Sequence, residues 1–294
     1  MTEGTRPVIV IHAGAGDHAE ELQEHQAECL GALMEALQAA RGALDEGLGA
    51  TRAVERAIIV MEDFELFNAG RGSTLCSDGT VEMSAALMRG ADRAAGAVAC
   101  LKHTQNPILG ARAVLESPHV LFVGPDADER AAEAGTAQQA AAYFVTERQR
   151  ARLQSALAAQ DRATVGAVCL DAEGMLAAGT STGGIRGQPP GRVGDCPVIG
   201  AGTWADGHAA VSCTGDGEAF IRCATAREVA ALVRGGTPLA AAAQEALGQV
   251  AGLQASGGLI ALDRDGQVAM PFNTQVMPRG VWTSGGPPTA WIAD

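Results

Sequence analysis

The segment TVGAVCLDAEGMLAAGTSTGG, residues 164–184, decides the fold class and the candidate chemistry of this 294-residue chain. Two apolar runs on either side of a short polar stretch predict two strands joined by a tight turn. Thr164 opens the first strand, and the cluster Thr180-Ser181-Thr182 closes the second. A threonine at a chain terminus can act as nucleophile and base in one residue. The chemistry therefore depends on whether the chain is cut just before Thr164.

The composition limits the possible classes of function. An apolar content of 47% supports a sizeable core, and an aromatic content of only 3% means that Ala, Val, Leu and Ile build most of it. The formal net charge of −13 argues against nucleic-acid binding, because neutralising phosphates requires clustered Lys and Arg. Lys102 is the only lysine, which excludes a Walker-type phosphate lysine elsewhere and leaves one candidate for a Schiff base.

Cysteine usage and the N-terminal sequence predict a cytoplasmic protein. The cysteines are scattered, mostly inside apolar runs, and form no CxxC pair, which predicts reduced thiols rather than disulfides or a zinc site. The first residues lack a basic segment followed by a long apolar stretch, so we expect no secretory signal. No apolar run reaches membrane-spanning length, so we expect no membrane partner. The seven cysteines are Cys29, Cys76, Cys100, Cys169, Cys196, Cys213 and Cys223.

Hydrophobic periodicity predicts strands and helices in blocks rather than in strict alternation. Predicted strands besides the opening pair are residues 7–13, 73–76, 81–88, 96–100, 119–123, 200–203, 209–212, 258–263 and 267–272. Predicted helices are residues 17–46, 51–64, 107–116, 127–135, 217–233 and 238–253. The later part of residues 138–163 is polar and free of Gly and Pro, and it is either an exposed helix or a mobile linker at about residues 145–163. This order predicts an α+β fold with antiparallel sheets covered by helices.

Several standard catalytic signatures are absent from the sequence. It contains no HExxH, GxSxG or P-loop motif, and its six histidines show no metal-ligand spacing. Small polar clusters on Gly-rich loops remain, beginning at Asn68, Thr180, Gly191 and Cys213. Any one of them alone is typical of turn chemistry. Their concentration after Thr164 favours a functional site there.

Six motifs, taken in order, carry a resemblance to a known family. FNAGRGS, TVGAVCLD, TSTGG, PGRVGD, GAGTWAD and SCTGDGEAFIR together resemble the plant-type asparaginases, also called isoaspartyl peptidases, which are N-terminal-nucleophile hydrolases. The likeness extends from VIVIHAGAG to PFNTQVMPRGVW and covers essentially the whole chain. It implies a single domain over residues 1–294, a four-layer αββα sandwich of two antiparallel sheets flanked by helices. It also implies hydrolysis of β-aspartyl dipeptides and L-asparagine to release L-aspartate.

The resemblance implies that the precursor cuts its own chain at Ala163–Thr164. The products are an α subunit of residues 1–163 and a β subunit of residues 164–294 that begins with the nucleophile. Thr182 is then a neighbour that bonds the nucleophile oxygen, Thr214 and Gly215 form an oxyanion hole, and Asn68 helps to position the nucleophile. The implied catalytic set is Thr164, Thr182, Thr214, Gly215 and Asn68.

Arg192 and Asp195 make physical sense as a substrate clamp on one turn. A substrate with a free α-carboxylate and α-ammonium needs one cation and one anion held close together. Arginine binds a carboxylate bidentately, and aspartate holds an ammonium. The resemblance adds the backbone carbonyl of Gly217 as a further contact of the ammonium.

The resemblance also has implications for ions and partners. Residues 61–71 resemble a loop that wraps a sodium ion with backbone carbonyls, and hard cations prefer such oxygen ligands. No cofactor is expected for catalysis, and the expected assembly is a dimer of αβ heterodimers acting on a small-molecule substrate, without nucleic acid. The implied sodium ligands are the carbonyls of Met61, Glu62, Phe64, Phe67, Ala69 and Arg71.

Two positions depart from the family pattern. Ala163 stands where the family usually has Gly before the nucleophile, and Ala13 stands at the first Gly of an HGGAG-type loop. Gly relaxes strained backbone geometry, so Ala163 leaves open a slower cleavage. Two alternative functions remain at this point, a glycosylasparaginase-like amidase and an uncut ligand-binding pseudoenzyme.

Overall fold

The computed structural model describes residues 6–17, 23–155 and 163–293. The hairpin predicted from residues 164–184 is present as the antiparallel strands β5 (Val165–Leu170) and β6 (Leu176–Thr182). Every residue of both strands is buried. Asp171 Oδ1 closes the turn between them by accepting the backbone N–H groups of Glu173 and Met175. The hairpin therefore lies in the middle of the molecule, covered on both faces.

Eight strands of the described residues form the larger sheet. Besides β5 and β6 they are β1 (Val8–His12), β2 (Met83–Arg89), β3 (Ala95–Leu101), β4 (Leu121–Val123), β11 (Arg279–Thr283) and β12 (Thr289–Trp291). Their order is β12-β11-β1-β5-β6-β2-β3-β4. All neighbours are antiparallel except β3 and β4, which are parallel because a helix crosses over between them.

Four further strands of the described residues form the smaller sheet, which is antiparallel throughout. They are β7 (Thr203–Ala205), β8 (Ala209–Gly215), β9 (Gly257–Asp263) and β10 (Val268–Ala269), in the order β10-β9-β8-β7. Strand β8 ends in the predicted Thr214-Gly215 pair. The smaller sheet therefore brings its candidate site residues to one strand end.

Helices cover the outer face of each sheet. The helices of the described residues are α1 (Gln26–Asp45), α2 (Gly49–Asp63), α3 (Pro107–Leu115), α4 (Pro125–Glu133), α5 (Ala141–Phe144), α6 (Glu147–Gln154), α7 (Gly217–Cys223), α8 (Thr225–Arg234) and α9 (Leu239–Gly252). Helices α1 to α3 pack on the larger sheet, and α8 and α9 pack on the smaller one. None of the helices in the described ranges is both long and apolar enough to cross a membrane.

Three apolar cores separate the four layers. Alternate residues of β1 divide between two of them, since Ile9 and Ile11 face the helices whereas Val8 and Val10 face the smaller sheet. The third core lies between the smaller sheet and helices α8 and α9. This division follows from the two-residue period of a strand. The predicted α+β sandwich with two sheets inside and helices outside is confirmed, and the β3–β4 pair is its one parallel departure among the described strands.

Some sequence-based element predictions are wrong. Residues 73–76 form no strand, although the backbone bond from Cys76 N–H to Thr80 O closes the turn that the Asp-Gly signal predicted. The predicted helix over residues 217–233 is interrupted at Ala224, which adopts a left-handed conformation with φ 48°. The interruption lets Ala226 and Arg227 at the start of α8 donate to the carbonyls of residues 201 and 200. These two hydrogen bonds are tertiary contacts, so local hydrophobic periodicity cannot reveal the interruption of the helix.

Other boundaries also shift. Residues 200–203 form a turn in which Gly200 N–H bonds Thr203 O, and the strand begins only at Thr203. Strands β11 and β12 are not predicted from the sequence. The predicted linker, residues 145–163, contains helix α6, whose buried Gln149 donates to the carbonyl of Gly72 at 2.7 Å. Residues 156–162 of that linker lie outside the described residues, as do residues 18–22 of the first predicted helix.

Candidate active site

Thr164 directly precedes β5 and is only 5% exposed. The antiparallel register pairs Val165 with Ser181, which places Thr164 beside the end of β6. The hydroxyl of Thr164 donates to Thr182 Oγ1 at 3.1 Å. Gly184 N–H donates to the same Thr182 oxygen at 3.0 Å and fixes its position. The hairpin thus brings the predicted nucleophile and its predicted neighbour together.

The carbonyl of Ala163, on the bond predicted to break, is held by two donors. Asn68 Nδ2 lies 2.7 Å from this oxygen, and the hydroxyl of Thr182 donates to it over 3.4 Å. The second N–H of Asn68 bonds the carbonyl of Gly184, and its Oδ1 accepts Thr74 N–H. The amide of Asn68 therefore has a single orientation. It aims a donor at the carbonyl that would carry negative charge during attack.

Gly14 lies against the predicted cleavage point on the other side. A Cβ at Gly14 would lie 2.5 Å from the Cβ of Ala163 and 3.1 Å from the backbone N of Thr164. The backbone φ of Gly14 is +108°, which also favours glycine. The next residue, Ala15, donates its N–H to Thr214 Oγ1 at 3.2 Å. This short segment therefore joins the cleavage point to the predicted oxyanion hole.

Thr214 and Gly215 form the end of β8, and Thr214 is fully buried. Because the Thr214 oxygen already accepts Ala15 N–H, its own proton is available to a negatively charged oxygen in the site. Gly215 has φ +141°, and a Cβ there would lie 2.4 Å from the carbonyl of Ser256. Only glycine fits this position without moving β9. A hydroxyl and a backbone amide at one strand end can stabilise a developing oxyanion.

Arg192, Asp195 and Gly217 form one cluster. A Cβ at Gly217 would lie 2.9 Å from Arg192 Nη2 and 3.0 Å from Asp195 Oδ1, so this glycine fits directly against both side chains. Gly217 begins α7, two residues beyond Gly215. The chain therefore places the predicted clamp next to the predicted oxyanion hole.

The Arg192 side chain is oriented by Glu218, a carboxylate outside the predicted set of site residues. Its Nε donates to Glu218 Oε1 at 2.9 Å, and its Nη2 donates to Glu218 Oε2 at 2.8 Å. Its Nη1 also lies 3.5 Å from Gln188 Oε1. Guanidinium has five N–H groups, so this bidentate pair leaves the Nη1–Nη2 edge with donors for a ligand carboxylate.

Asp195 is buried, and its Oδ2 has no hydrogen-bond partner among the residues that the structure describes. Burial raises the pKa of Asp195 to about 7, although its own backbone amide and the nearby Arg192 oppose the rise. A buried carboxylate oxygen without a donor is costly unless a ligand supplies one. An ammonium group supplies both the hydrogen bond and the opposite charge.

The loop of residues 61–71 has features that fit a hard cation. A Cβ at Gly70 would lie 2.5 Å from the carbonyl oxygen of Glu62, and one at Gly72 would lie 2.0 Å from that of Phe67. The two glycines therefore let the loop backbone pass directly against these oxygens. The carbonyls of Phe64, Phe67 and Ala69 each accept a backbone N–H and retain a second lone pair. Within the described residues no group of three or more His, Cys, Asp or Glu side chains can hold a metal ion, so a cation here would need carbonyl ligands.

The sequence of this chain matches a family of known proteins. A family profile described as asparaginase matches residues 5–292. The chain belongs to this asparaginase family. An isoaspartyl peptidase of Salmonella typhimurium is 42% identical over 98% of both chains. An isoaspartyl peptidase of Escherichia coli K12 is 40% identical over 98% of this chain and 96% of the relative.

A mammalian member of the family is similar over nearly the same length. The isoaspartyl peptidase/L-asparaginase of Homo sapiens is 37% identical over 92% of this chain and 92% of the relative. The resemblance inferred from six short motifs is therefore confirmed at the level of the family. The roles of individual residues and the cleavage at Ala163 remain predictions.

The asparaginase-family chain also contains a buried polar network that the motifs did not reveal. His12 Nε2 lies 3.0 Å from Ser212 Oγ, and the hydroxyls of Ser212 and Thr180 are 2.8 Å apart. Burial lowers the pKa of His12 to about 3, so the ring is neutral at pH 7. A Cβ at Gly166 would lie 2.4 Å from His12 Nε2, so strand β5 passes directly over this ring. Sequence spacing gives no signal for it, because the three side chains belong to different strands.

Proposed function

We propose that this chain is an autoprocessing threonine amidohydrolase, an isoaspartyl peptidase and L-asparaginase that releases L-aspartate. The observation that carries the proposal is the Thr164 hydroxyl, hydrogen-bonded to Thr182 and directly preceded by a carbonyl bound to Asn68. The names of the curated relatives support the same substrates. The buried Asp195, whose Oδ2 has no hydrogen-bond partner among the described residues, supports a substrate that carries an ammonium group.

In the proposed first step the protein acts on itself. Thr164 Oγ attacks the carbonyl carbon of Ala163, the C–N bond breaks as the acyl group moves to oxygen, and the hydroxyl proton passes to the departing nitrogen of Thr164. The oxygen of Ala163 becomes negative during attack and gains from the donors of Asn68 and Thr182. Water then hydrolyses the ester and leaves Thr164 with a free α-amino group. The reference pKa of such a group is about 8, so a useful fraction is neutral at pH 7.

In the proposed second step the mature threonine attacks the side-chain amide of the substrate. The α-amino group of Thr164 takes the hydroxyl proton and returns it to the departing nitrogen. That nitrogen leaves as ammonia from L-asparagine, or as the amino group of the second residue of a β-aspartyl dipeptide. Thr214 and Gly215 would stabilise the oxyanion, and water releases L-aspartate from the ester. A substrate carboxylate at Arg192 and an ammonium at Asp195 would fix which carbonyl reaches the nucleophile.

One experiment tests both steps. Intact-mass measurement of the purified protein is expected to show two products, residues 1–163 and 164–294, and the cut protein is expected to turn over β-aspartyl dipeptides. Thr164→Ala is expected to remain one chain and to be inactive. A full-length wild type after prolonged incubation, or wild-type turnover by Thr164→Ala, would contradict the mechanism. A preference for glycosylated asparagine over a β-aspartyl dipeptide would assign a different amidase activity.

Two further features belong to the proposal. A sodium ion on the carbonyls of residues 61–71 would fix the loop that carries Asn68, and elemental analysis of the desalted protein checks this. Assembly as a dimer of αβ heterodimers is checked by light scattering. Both come from the family resemblance, and the carbonyls of Phe64, Phe67 and Ala69, each with a second lone pair beyond its backbone hydrogen bond, support the first. The cytoplasmic location stays a prediction, and the seven free cysteines are in keeping with it.

A further inference from the structure

We propose that Glu82 and Lys102, the only lysine of the chain, act together as positioning residues for the loop that carries the Arg192–Asp195 clamp. The inference rests on the proposed function and deepens it. It assigns substrate affinity in part to two residues that precede the predicted cleavage point in the sequence, whereas Arg192 and Asp195 follow it. Neither residue belongs to the motifs that suggested the active site.

The first contact joins Glu82 to the clamp loop. Glu82 directly precedes β2 and is 6% exposed. Its Oε2 accepts the backbone N–H of Gly191 at 2.6 Å. Gly191 is the residue before Arg192 and has φ +87°, a turn conformation that needs glycine. The buried carboxylate therefore holds the loop one residue away from the guanidinium.

The second contact joins Glu82 to Lys102. Lys102 Nζ lies 3.2 Å from Glu82 Oε1, on the opposite carboxylate oxygen from Gly191. The ammonium side chain is partly exposed, whereas the carboxylate is buried. A buried carboxylate is costly without compensating charge. Lys102 therefore supplies the compensating positive charge beside a carboxylate that also accepts Gly191 N–H.

The backbone of Lys102 is itself fixed. Asp128, on α4, accepts the N–H of Lys102 at 2.9 Å and also those of His103 and Thr104. Asp128 is buried and receives the Thr104 hydroxyl as well. The Lys102 side chain thus extends from a backbone segment, just after β3, that three hydrogen bonds to Asp128 hold in place. A rigid support is what a positioning contact requires.

The far end of the clamp loop is held independently. The carbonyl of Asp195 accepts the N–H groups of Val198 at 2.9 Å and Gly202 at 3.1 Å. Glu82 acts on the near end, through Gly191. The loop backbone is therefore held on both sides of Arg192, whose guanidinium is oriented by Glu218. Losing the Glu82 contact would loosen the backbone from which the Arg192 side chain extends. The expected consequence is weaker substrate binding with unchanged chemistry.

The test compares KM and kcat for a β-aspartyl dipeptide in four variants of the full-length, self-processed protein. Glu82→Ala removes the acceptor, and a charge-assisted hydrogen bond of this kind corresponds to a KM increase of about tenfold or more. Glu82→Gln retains an acceptor oxygen for Gly191 N–H but loses the ion pair with Lys102, so it is expected to raise KM by about threefold to tenfold, as Lys102→Met does. Lys102→Met is expected to raise KM by about threefold to tenfold, and Lys102→Arg is expected to stay near the wild type. In every variant kcat and the extent of cleavage are expected to change less than about twofold, since Thr164 is untouched.

Controls separate positioning from general stability. Asp171→Ala removes another buried carboxylate that accepts backbone N–H groups, those of residues 50, 173 and 175, and it is expected to lower stability without raising KM. In an Arg192→Ala background, Glu82→Ala is expected to add little to KM. If Glu82→Ala fails to fold, the surface variant Lys102→Met still carries the test.

The outcomes distinguish this inference from the proposed function. A wild type without turnover refutes the proposed function and this inference with it. A wild type that turns over substrate, together with unchanged KM in both Glu82→Ala and Lys102→Met, overturns the inference alone. A fall in kcat with unchanged KM would also overturn it, because a positioning role in the clamp acts on binding.

Discussion

Replacing Asn68 by aspartate isolates the step that exposes the N-terminal threonine. Asn68 Nδ2 donates to the carbonyls of Ala163 and Gly184, both at 2.7 Å, while its Oδ1 accepts Thr74 N–H. Aspartate has nearly the same shape and still accepts Thr74 N–H. It replaces both donated hydrogen bonds with a carboxylate oxygen facing two carbonyl oxygens. The substitution therefore removes one donor from the scissile carbonyl while leaving the packing almost unchanged.

The magnitude follows from what that donor does during attack. Removing one donor from an oxyanion typically costs about 2.7–4 kcal/mol, a factor of about 10²–10³ in rate. The Thr182 hydroxyl reaches the same oxygen over 3.4 Å, a longer and weaker contact that cannot replace Asn68. We therefore expect self-cleavage of Asn68→Asp to be slower than that of the wild type by about 10²-fold or more.

The assay is a time course of intact mass at fixed temperature, starting from freshly purified precursor. Asn273→Asp is the matched control, because Asn273 Oδ1 also accepts a backbone N–H, that of Gly257, while lying in a different loop. Thermal unfolding of both variants checks that the fold is retained. If Asn68→Asp cleaves within about threefold of the wild type, the donor to Ala163 does not stabilise the transition state and the reasoning is refuted.

The clamp makes two further predictions. Arg192→Ala is expected to raise KM for substrates with a free α-carboxylate by about 10–100-fold, since hydrogen bonds to charged groups contribute about 1.5–3 kcal/mol. Steady-state kinetics measure this change, and an unchanged KM would show that Arg192 does not bind the carboxylate. Arg192→Lys is expected to recover only part of the loss, because a lysine cannot replace a bidentate fork. Burial raises the pKa of Asp195 to about 7, so the carboxyl is neutral below that pH and cannot pair with the substrate ammonium. KM is therefore expected to rise as the pH falls through about 7 in the wild type, and a similar rise in Asp195→Asn would show that another group titrates.

The hairpin and the site were predictable from the sequence to different extents. The two strands were predicted from their apolar runs, whereas Thr182 was placed beside Thr164 by the resemblance. The observed antiparallel register, which pairs Val165 with Ser181, explains why the two threonines meet. The cluster of Arg192, Asp195 and Gly217 was predicted from a resemblance, and the structure brings those residues together. The family could be identified from the sequence because its motifs are short, lie mostly on loops and follow one another in a fixed order along the chain.

Long-range contacts were not predictable. Glu218 pairs with Arg192 across 26 residues, and Glu82 reaches Gly191 across 109. Neither contact leaves a periodic or local signal. The break at Ala224 has the same origin, because donors at the start of α8 bond carbonyls near residue 200. Strand β11 was missed since it begins just after Pro278, and its strand character depends on pairing with β1.

The order of strands in the larger sheet has a consequence for the mature protein. Strand β1 precedes the proposed cut, yet both of its neighbours, β5 and β11, follow it. Cutting at Ala163 therefore leaves two polypeptides interleaved within one sheet, with no strand edge along which they can part. The precursor folds as a single molecule, whereas the unfolded mature form must bring two chains together, so its stability becomes dependent on concentration. Processing would thus convert a unimolecular folding reaction into a bimolecular one, and the enzyme would retain a structure whose original folding route has been removed.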